Sequence, residues 1–352
     1  MSYQNGWAAL NLEMTDRVPR TEYSAHNHWP LVQAVTGMAV NPDSGAELQS
    51  RASDAFIRAW DYGMMWSILT HNQIFGDKCT KMGHAVYAAG GVDFNGASRQ
   101  LFADPEDVFR FDPFAEFGTP DQQALIAGYN AHYRQNCARQ PDCVNMTGIY
   151  VTCVSGLIEL LGWETLLLAA GIDERAFGDF TDRYCDWIRQ YFTALAQCES
   201  PVVMVHDDIV WTSGAFLNPE FYRRHVFANY RRLFRPLQDA GKKILFTSDG
   251  NYTEFIDDIA RCGIDGFVLE PCTDMPYIAD HYGRTHSFVG NADTRILLQG
   301  SREEIAAEVQ RCMAIGKQYP GFFMAVGNHI PANTPVDNAL YYNEIYEKLS
   351  RR

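Results

Sequence analysis

The chain has 352 residues, of which 47% are hydrophobic and 20% are charged, a balance typical of a globular protein. Its formal net charge is −14, which disfavours binding to nucleic acids or to an anionic membrane surface. Nine cysteines without paired spacing favour free thiols in a reducing compartment. Because neither a signal peptide nor an apolar run near the roughly 18 residues of a membrane span is found, we expect a cytoplasmic protein.

Short apolar runs alternate along the chain with longer amphipathic ones, after a short helical lead-in at the N-terminus. The run "NYTEFIDDIARCG" (251–263), for example, has apolar residues at helical spacing and ends at Gly263. A further helix is predicted to begin at Ser301, because Ser301 and Glu304 form the Ser-x-x-Glu pattern of a capping box. The short apolar runs predict strands near residues 18, 64, 144, 201, 242, 266, 286 and 321.

Strands and helices that alternate at short spacing indicate βαβ units and a parallel sheet. Eight strands, most of them followed by a helix, predict an α/β fold of the (β/α)8 TIM barrel type that forms one domain over residues 1–352. The alternative is an open doubly wound sheet, whose glycine-rich phosphate-binding fingerprint the sequence lacks. Residues 76–140 do not fit the repeat and are predicted to be an insertion after strand two, as a flap or lid.

Several predicted strands end in a group of polar residues. In "KKILFTSDGN" (242–251), an apolar strand is followed directly by small and hydrogen-bonding side chains. The carboxyl ends of barrel strands meet on one face, where active sites lie, so we expect such residues to line one site. The candidates in chain order are His26, His28, His71, Tyr150, His206, Asp207, Asp208, Asp249, Glu270, Cys272, Asn291, Asn328 and His329.

These residue types suit two kinds of chemistry. Carboxylates near histidines serve general acid–base catalysis, because crowding and burial separate their pKa values. They also suit a metal site with oxygen and nitrogen ligands. Purely structural roles are the alternative: the acids of "HDD" (206–208) can cap the next element, Asp249 can serve an Asp-Gly turn, and the histidines can bond the loop backbone. The motifs of serine hydrolases, P-loop ATPases and His-Glu-x-x-His metalloproteases are not found.

From residue 201 to the C-terminus, the sequence resembles the uroporphyrinogen decarboxylase superfamily. The resemblance implies a (β/α)8 barrel in the cytoplasm with one of two activities. One is cofactor-free decarboxylation of the acetate groups of uroporphyrinogen, and the other is methyl transfer between a small molecule and a corrinoid protein, usually with zinc. The motifs are "HDD" (206–208), "NPEFYRRHVFANYRRLFRPLQDAGKK" (218–243), "SDGN" (248–251), "GNADTRILLQGSREEI" (290–305) and "GNHIPANTP" (327–335), with "ALNLEMTDRVPR" (9–20) similar to the start of the family.

The sequence departs from the patterns of both activities. The arginine-rich segment that decarboxylases carry after strand one is "RTEYSAHNHWP" (20–30) here, with no arginine after Arg20. Asn328 stands where the decarboxylases have a histidine and where the methyltransferases have their later cysteine. The His-x-Cys-Gly of the methyltransferases is replaced by "TSDG" (247–250). A metal would instead be held by Asp249, Glu270 and Cys272, with His206 or His329.

We therefore expect a methyltransferase that moves a methyl group from a small O- or N-methylated substrate to a corrinoid protein. The expected cofactor is zinc, the corrinoid belongs to the partner protein, and the chain is expected to form a homodimer. The alternatives are a decarboxylase of uroporphyrinogen or a related acidic substrate, and a non-catalytic ligand-binding member of the fold. The predicted catalytic residues are Asp208, Asp249, Glu270 and His329, and the predicted substrate-binding residues are His26, His28, His71, Tyr150, His206, Asn291 and Asn328.

Overall fold

The computed structural model describes residues 2–80, 86–88, 91–93 and 101–352, the two short ranges by their backbone alone. Most of the strands assigned within them fall where apolar runs predicted strands. The assigned strands are β1 Val86–Ala88, β2 Gly91–Asp93, β3 Thr147–Ile149, β4 Val202–His206, β5 Val210–Trp211, β6 Gly214–Ala215, β7 Lys243–Thr247, β8 Gly266–Val268, β9 Ser287–Ala292 and β10 Phe322–Val326.

Six parallel strands form one sheet in the order β10-β9-β8-β7-β4-β3. Two further segments close it into a ring: Arg20 forms parallel bridges with Met324 of β10 and with Tyr62. The segment after Tyr62 then pairs with the β3 side, because the Met65 N–H donates to the Val144 carbonyl at 2.9 Å. The architecture is therefore the expected eight-stranded barrel. The segment around Arg20 and the segment after Tyr62 are the first and second barrel strands, and they pair through isolated bridges rather than continuous ladders. In the first barrel strand, Pro19 has no N–H to donate to a ladder.

The helices surround this ring, and many of them begin at a side-chain cap. The capping box predicted at Ser301 is confirmed: Ser301 accepts from the N–H of Glu304, and the Glu304 carboxylate accepts from the N–H of Ser301. The helices are α1 Ser2–Leu10, α2 Trp29–Thr36, α3 Ala46–Ala59, α4 Pro113–Phe117, α5 Gln122–Arg139, α6 Val154–Ile172, α7 Glu174–Gln197, α8 Pro219–Phe221, α9 Phe227–Asp239, α10 Ile256–Ala260, α11 Met275–Tyr282, α12 Thr294–Gln299, α13 Arg302–Gly316 and α14 Val336–Leu349.

The strands carry apolar side chains on both faces, as expected of a parallel sheet covered by helices. In β4, Val202 and Met204 belong to the cluster inside the barrel, and Val203 and Val205 belong to the layer between barrel and helices. Leu10 of α1 also packs into the inner cluster. The N-terminal helix therefore contributes to the filling of the barrel, which leaves the carboxyl ends of the strands as the face for a site.

The predicted insertion at 76–140 contains the hairpin β1–β2 and the helices α4 and α5. Helix α5 belongs to the outer layer: Tyr129 is buried, and its hydroxyl shares a 2.5 Å hydrogen bond with Thr70 Oγ1. The last third of the segment is therefore packed against the barrel rather than forming a flap. Residues 81–85, 89–90 and 94–100, on which part of the flap prediction falls, lie outside the described residues.

Helix α6 is long and apolar enough to cross a membrane by length and composition alone, which corrects the expectation that no run approaches that length. In the structure, 61% of its apolar window is buried inside the protein. Gly162, with φ at 73°, also interrupts the helical backbone. Burial of this kind is what the core helix of a soluble α/β domain shows.

Candidate active site

A cavity of about 220 Å³ lies at the carboxyl ends of the barrel strands. One part of its wall is apolar or aromatic and the other part is polar, which is the usual composition of a small-molecule site. The wall is formed by Tyr23, Trp66, Ser67, Ile68, Tyr150, Met204, His206, Thr247, Ser248, Asp249, Val268, Leu269, Gly327, Asn328 and His329.

Three carboxylates from successive strand ends are linked by hydrogen bonds, and Asp249 among them lines this cavity. The N–H of Asp249 donates to Asp208 Oδ1 at 2.8 Å, and the N–H of Gly250 donates to Glu270 Oε2 at 2.8 Å. Asn328 Nδ2 donates to Glu270 Oε1, and its side chain also bonds to Asp249. The structure thus brings together three of the four predicted catalytic residues through backbone N–H groups and one amide.

Gly250 is required for this arrangement. Its φ is +85°, a conformation that L side chains rarely adopt. A Cβ atom at this position would lie 2.7 Å from the carbonyl oxygen of Val210. The Asp-Gly turn that the sequence suggested is therefore real, and it serves the site because it points the Gly250 N–H at Glu270.

His206 is buried and lies between an aromatic ring and a carboxylate. Its ring stacks on Tyr150 with the centroids 3.7 Å apart, and its Nε2 is 3.4 Å from Asp208 Oδ1. His71 extends the stack, with its centroid 5.8 Å from that of Tyr150. The packing fixes the plane of the His206 ring, so that one nitrogen faces the carboxylates.

Asp207 and Asp208 are adjacent in sequence, but they have different roles. Asp207 is fully buried and accepts hydrogen bonds from the N–H groups of Cys153, Val154 and Ser155 and from the hydroxyl of Tyr230. It therefore caps the N-terminal end of α6, where a negative charge is favoured by the helix dipole. Asp207 thus has the capping role that was the structural alternative for the "HDD" motif, whereas Asp208 is part of the site.

The acidic surroundings change the protonation of Asp249. Withdrawal from water raises its pKa well above the usual value for an aspartate, and the nearby carboxylates of Asp208 and Glu270 raise it further. The hydrogen bond from Asn328 offsets part of this rise. Asp249 is therefore the group at the cavity that is best suited to carry a proton near neutral pH.

His329 also lines the cavity, with its ring centroid 6.0 Å from that of Tyr23. Burial lowers the pKa of His329 to about 4. The imidazole is thus neutral at physiological pH. It can donate or accept a hydrogen bond to a substrate but brings no positive charge.

The remaining predicted site residues lie elsewhere. His28 caps α2, accepting from the N–H of Leu31, and its Nε2 is 2.9 Å from the Thr334 carbonyl oxygen. Asn291 is buried between the Glu270 carbonyl and the Arg311 guanidinium. Both are held by backbone or side-chain partners away from the cavity wall. His26 lines a different cavity, and His71 reaches the site through Tyr150 without lining it.

The zinc that the resemblance implies for the methyltransferases requires thiolate ligands that these residues do not supply. Cys272 Sγ is 3.9 Å from Glu270 Oε2 but does not line the cavity, and burial raises the pKa of its thiol to about 11. His206, Asp208 and Asp249 do place one nitrogen and two carboxylate oxygens within 4.8 Å of one another. That set differs from the predicted Asp249, Glu270 and Cys272, and Asp208 within it already accepts a hydrogen bond from the N–H of Asp249.

Sequence reasoning missed the apolar wall of the cavity. Trp66 and Ile68 are alternate residues of the second barrel strand, and Met204 lies two residues before His206 in β4. Alternation along a barrel strand brings such residues to the same face. Because His206 was already a predicted site residue, the residue two positions before it in the same strand, Met204, could have been predicted from this alternation.

Comparison with known proteins now places the chain. The family model for uroporphyrinogen decarboxylase (URO-D) matches residues 146–348, more than half of the sequence. The chain belongs to the uroporphyrinogen decarboxylase family. The resemblance inferred from the motifs after residue 201 is confirmed, and the match includes every strand end that forms the acidic cluster.

Members of the family with similar sequences include proteins named uroporphyrinogen decarboxylase. One from Thermus thermophilus is 27% identical over 178 residues, which cover 51% of this chain and 50% of the relative. Another from Carboxydothermus hydrogenoformans is 23% identical over 220 residues, 62% of this chain and 61% of the relative. The chain thus spans about half the length of the first of these relatives.

A solved structure, a methyltransferase from Methanosarcina mazei, covers 99% of this chain and 98% of its own with a TM-score of 0.61 at 16% identity. At this level of identity the likeness shows a shared fold. Family members with this fold are expected to be enzymes whose site lies at the carboxyl ends of the strands.

Proposed function

We propose that this family member is a methyltransferase that takes a methyl group from a small O- or N-methylated molecule and passes it to a corrinoid protein in the cytoplasm. The observation that carries the proposal is the chemistry of the 220 Å³ cavity. It has an apolar wall beside a cluster of carboxylates, and its lining residues, all within the described part of the chain, include no lysine or arginine.

The cavity disfavours uroporphyrinogen as the substrate. Its volume of about 220 Å³ is below the roughly 300 Å³ at the lower end of common ligand pockets, and the substrate is a macrocycle of four pyrroles with eight carboxylates. Arg20, the arginine nearest to the first strand end, is fully buried in an ion pair with Glu22. Arg20 is therefore not placed to bind a substrate carboxylate. The decarboxylase hypothesis is the second candidate, and the names of the curated relatives support it.

The proposed reaction breaks the bond between the methyl carbon and the oxygen or nitrogen of the donor. The bonding electrons remain on that heteroatom, which takes the proton of Asp249, since an unprotonated heteroatom is a poor leaving group. The reduced corrinoid of the partner protein, as the second substrate, supplies the electron pair for the new bond to the methyl carbon. Burial, together with the carboxylates of Asp208 and Glu270, raises the pKa of Asp249 and so favours its protonated form before the reaction. Trp66 and Met204 offer apolar contacts for the methyl group.

The test is a methyl-transfer assay with the purified protein, a reduced corrinoid protein and a panel of methoxylated aromatic compounds and methylamines. We expect formation of methylcorrinoid, followed by its absorbance, with at least one donor. Absence of methylcorrinoid across the panel, together with conversion of uroporphyrinogen to a decarboxylated product, would replace the proposal by the second candidate. Metal analysis belongs with the assay, because a divalent ion held by His206, Asp208 and Asp249 would serve as the Lewis acid for the leaving group in place of the proton.

A further inference from the structure

A second cavity of about 350 Å³ lies outside the barrel. Its wall is formed by α3, the C-terminal end of α5 and the second barrel strand. Its lining includes the ring of Trp29, the half-buried Ser50 of α3 and the predicted substrate-binding residue His26. Ser67 lines both this cavity and the candidate active site. The volume falls within the roughly 300–1,000 Å³ of common small-molecule sites.

Three buried polar atoms at this second cavity have no hydrogen-bond partner among the residues that the structure describes. They are His26 Nδ1, Gln140 Oε1 and Asn145 Oδ1. Gln140 is 3% exposed and Asn145 is 4% exposed. Buried acceptors without donors are rare in folded proteins and disfavour the empty state.

The amide orientations follow from the contacts of their nitrogens. Gln140 Nε2 donates to Asp54 Oδ1 at 2.6 Å, and Asn145 Nδ2 donates to the carbonyl oxygens of Gln140 at 2.8 Å and Cys143 at 3.0 Å. Each NH₂ group thus faces an acceptor, which assigns the oxygens of both amides to the positions without partners. Both unpartnered oxygens require a donor, because an amide oxygen cannot donate.

The charges of the second cavity are already balanced. Asp54 pairs with Arg139 at 2.8 Å and also accepts from Gln140. Burial, with a contribution from Arg139, lowers the pKa of His26 to about 4, so that its imidazole is neutral. An ionic ligand would therefore lose its hydration without meeting an opposite charge.

We propose that this second cavity is a binding site for an uncharged, hydroxyl-rich small molecule of the size of a monosaccharide or a nucleoside. Hydroxyl groups donate to the oxygens of Gln140 and Asn145, and they can either donate to or accept from His26 Nδ1. The Trp29 ring offers an apolar face for the C–H groups of the ligand. The site is independent of the methyl-transfer proposal, because none of these groups is part of the acidic cluster.

The experiment is isothermal titration calorimetry of the full chain with D-glucose, D-ribose, myo-inositol, uridine and adenosine. We expect at least one of them to bind with one-to-one stoichiometry. Ser50→Trp, which fills the cavity from the half-exposed face of α3, should weaken binding at least tenfold. Gln140→Met, which removes the Oε1 acceptor together with the Nε2 donor to Asp54, should weaken it about threefold to tenfold, as the loss of one hydrogen bond to the ligand predicts.

Two controls locate the binding. Arg51→Trp introduces the same ring one position along α3 at an exposed residue outside the lining, and it should leave the affinity unchanged. Asp249→Asn alters the candidate active site and should also leave it unchanged. The proposal is overturned if none of the five compounds binds, if Ser50→Trp binds as tightly as the unaltered chain, or if Asp249→Asn rather than Ser50→Trp removes the binding.

Discussion

Carboxylates are withdrawn from water in two regions of this barrel, and the two regions treat them differently. Glu22 is fully buried between the first barrel strand and α14. Its carboxylate accepts hydrogen bonds from Arg20 Nη2 at 2.9 Å, from the Tyr342 hydroxyl at 2.8 Å and from the Val326 N–H at 3.0 Å. The Arg20 guanidinium lies 4.2 Å from the centroid of the Trp60 ring. Three donors, one of them a cation, satisfy this carboxylate, and the Trp60 ring packs against that cation.

At the mouth of the barrel, Asp208, Asp249 and Glu270 share backbone N–H groups and the Asn328 amide. The cavity wall there, within the residues described, supplies no lysine or arginine. Burial raises the pKa of both Glu22 and Asp249, but Arg20 offsets part of the rise for Glu22, whereas Asp208 and Glu270 add to it for Asp249. The comparison separates a carboxylate that stabilises the closed ring from one that is kept ready to hold a proton.

The largest effect is expected from the removal of the proton donor. Asp249→Asn keeps the shape and the hydrogen bond to Asn328 but cannot give a proton to the leaving group, so methyl transfer should fall by about 10²- to 10⁴-fold. The matched control is Asp293→Asn, at the end of β9 but paired with Arg295 and outside the cavity lining. Methylcorrinoid formation measures both rates, and equal rates for the two variants would remove Asp249 from the mechanism.

The next effect is the loss of stability when the buried ion pair of Arg20 and Glu22 is broken. Arg20→Met leaves the Glu22 carboxylate buried without its cation, and breaking a buried ion pair in this way should lower the free energy of unfolding by about 3–5 kcal/mol. Arg235→Met breaks an exposed pair with Asp239 and should change it by less than about 0.5 kcal/mol. Urea unfolding monitored by circular dichroism gives both values. A small loss for Arg20→Met would mean that the ring does not depend on this pair.

A third prediction divides the "HDD" motif. Asp207→Asn replaces one acceptor oxygen at the start of α6 by an NH₂ group that faces donors, and the loss should be about 1.5–3 kcal/mol of unfolding free energy. Asp208→Asn, at a partly exposed position, should cost less stability but should lower the methyl-transfer rate. If Asp207→Asn proved the more damaging to the rate at a temperature where both variants are folded, the two assignments would have to be exchanged.

The last prediction concerns the dependence of stability on pH. Because the pKa of Asp249 is raised in the folded state, the folded protein holds a proton that the unfolded chain releases, so this residue makes stability fall as pH rises above about 3.8. The advantage of Asp249→Asn over the unaltered chain should therefore be small near pH 4. It should grow until the raised pKa is passed, by about 1.4 kcal/mol for each unit of the rise. Unfolding at a series of pH values measures the difference, and a constant difference would contradict the raised pKa.

The strand ends named from the sequence give a measure of what could be predicted. Asp208, Asp249, Glu270, Asn328 and His206 each follow or end an apolar strand, and barrel geometry alone predicts that such positions converge. The sequence could not tell which of two adjacent polar residues turns inward. Asp207 and Asn291 have the same local pattern as Asp208 and Asn328, but their side chains are bonded to the start of α6 and to Arg311 instead of joining the cluster of Asp249 and Glu270.

By itself, the sequence determined the order of strands and helices, the family and the capping box at Ser301, because these depend on local periodicity and short-range hydrogen bonds. Only the tertiary structure decided how the carboxylates are paired. The partners of Glu22 lie as far as 320 positions away in the chain, and the pKa of Asp249 depends on neighbours brought in by other strands. Electrostatic interactions act over a few ångströms in space, and no distance along the sequence reports them.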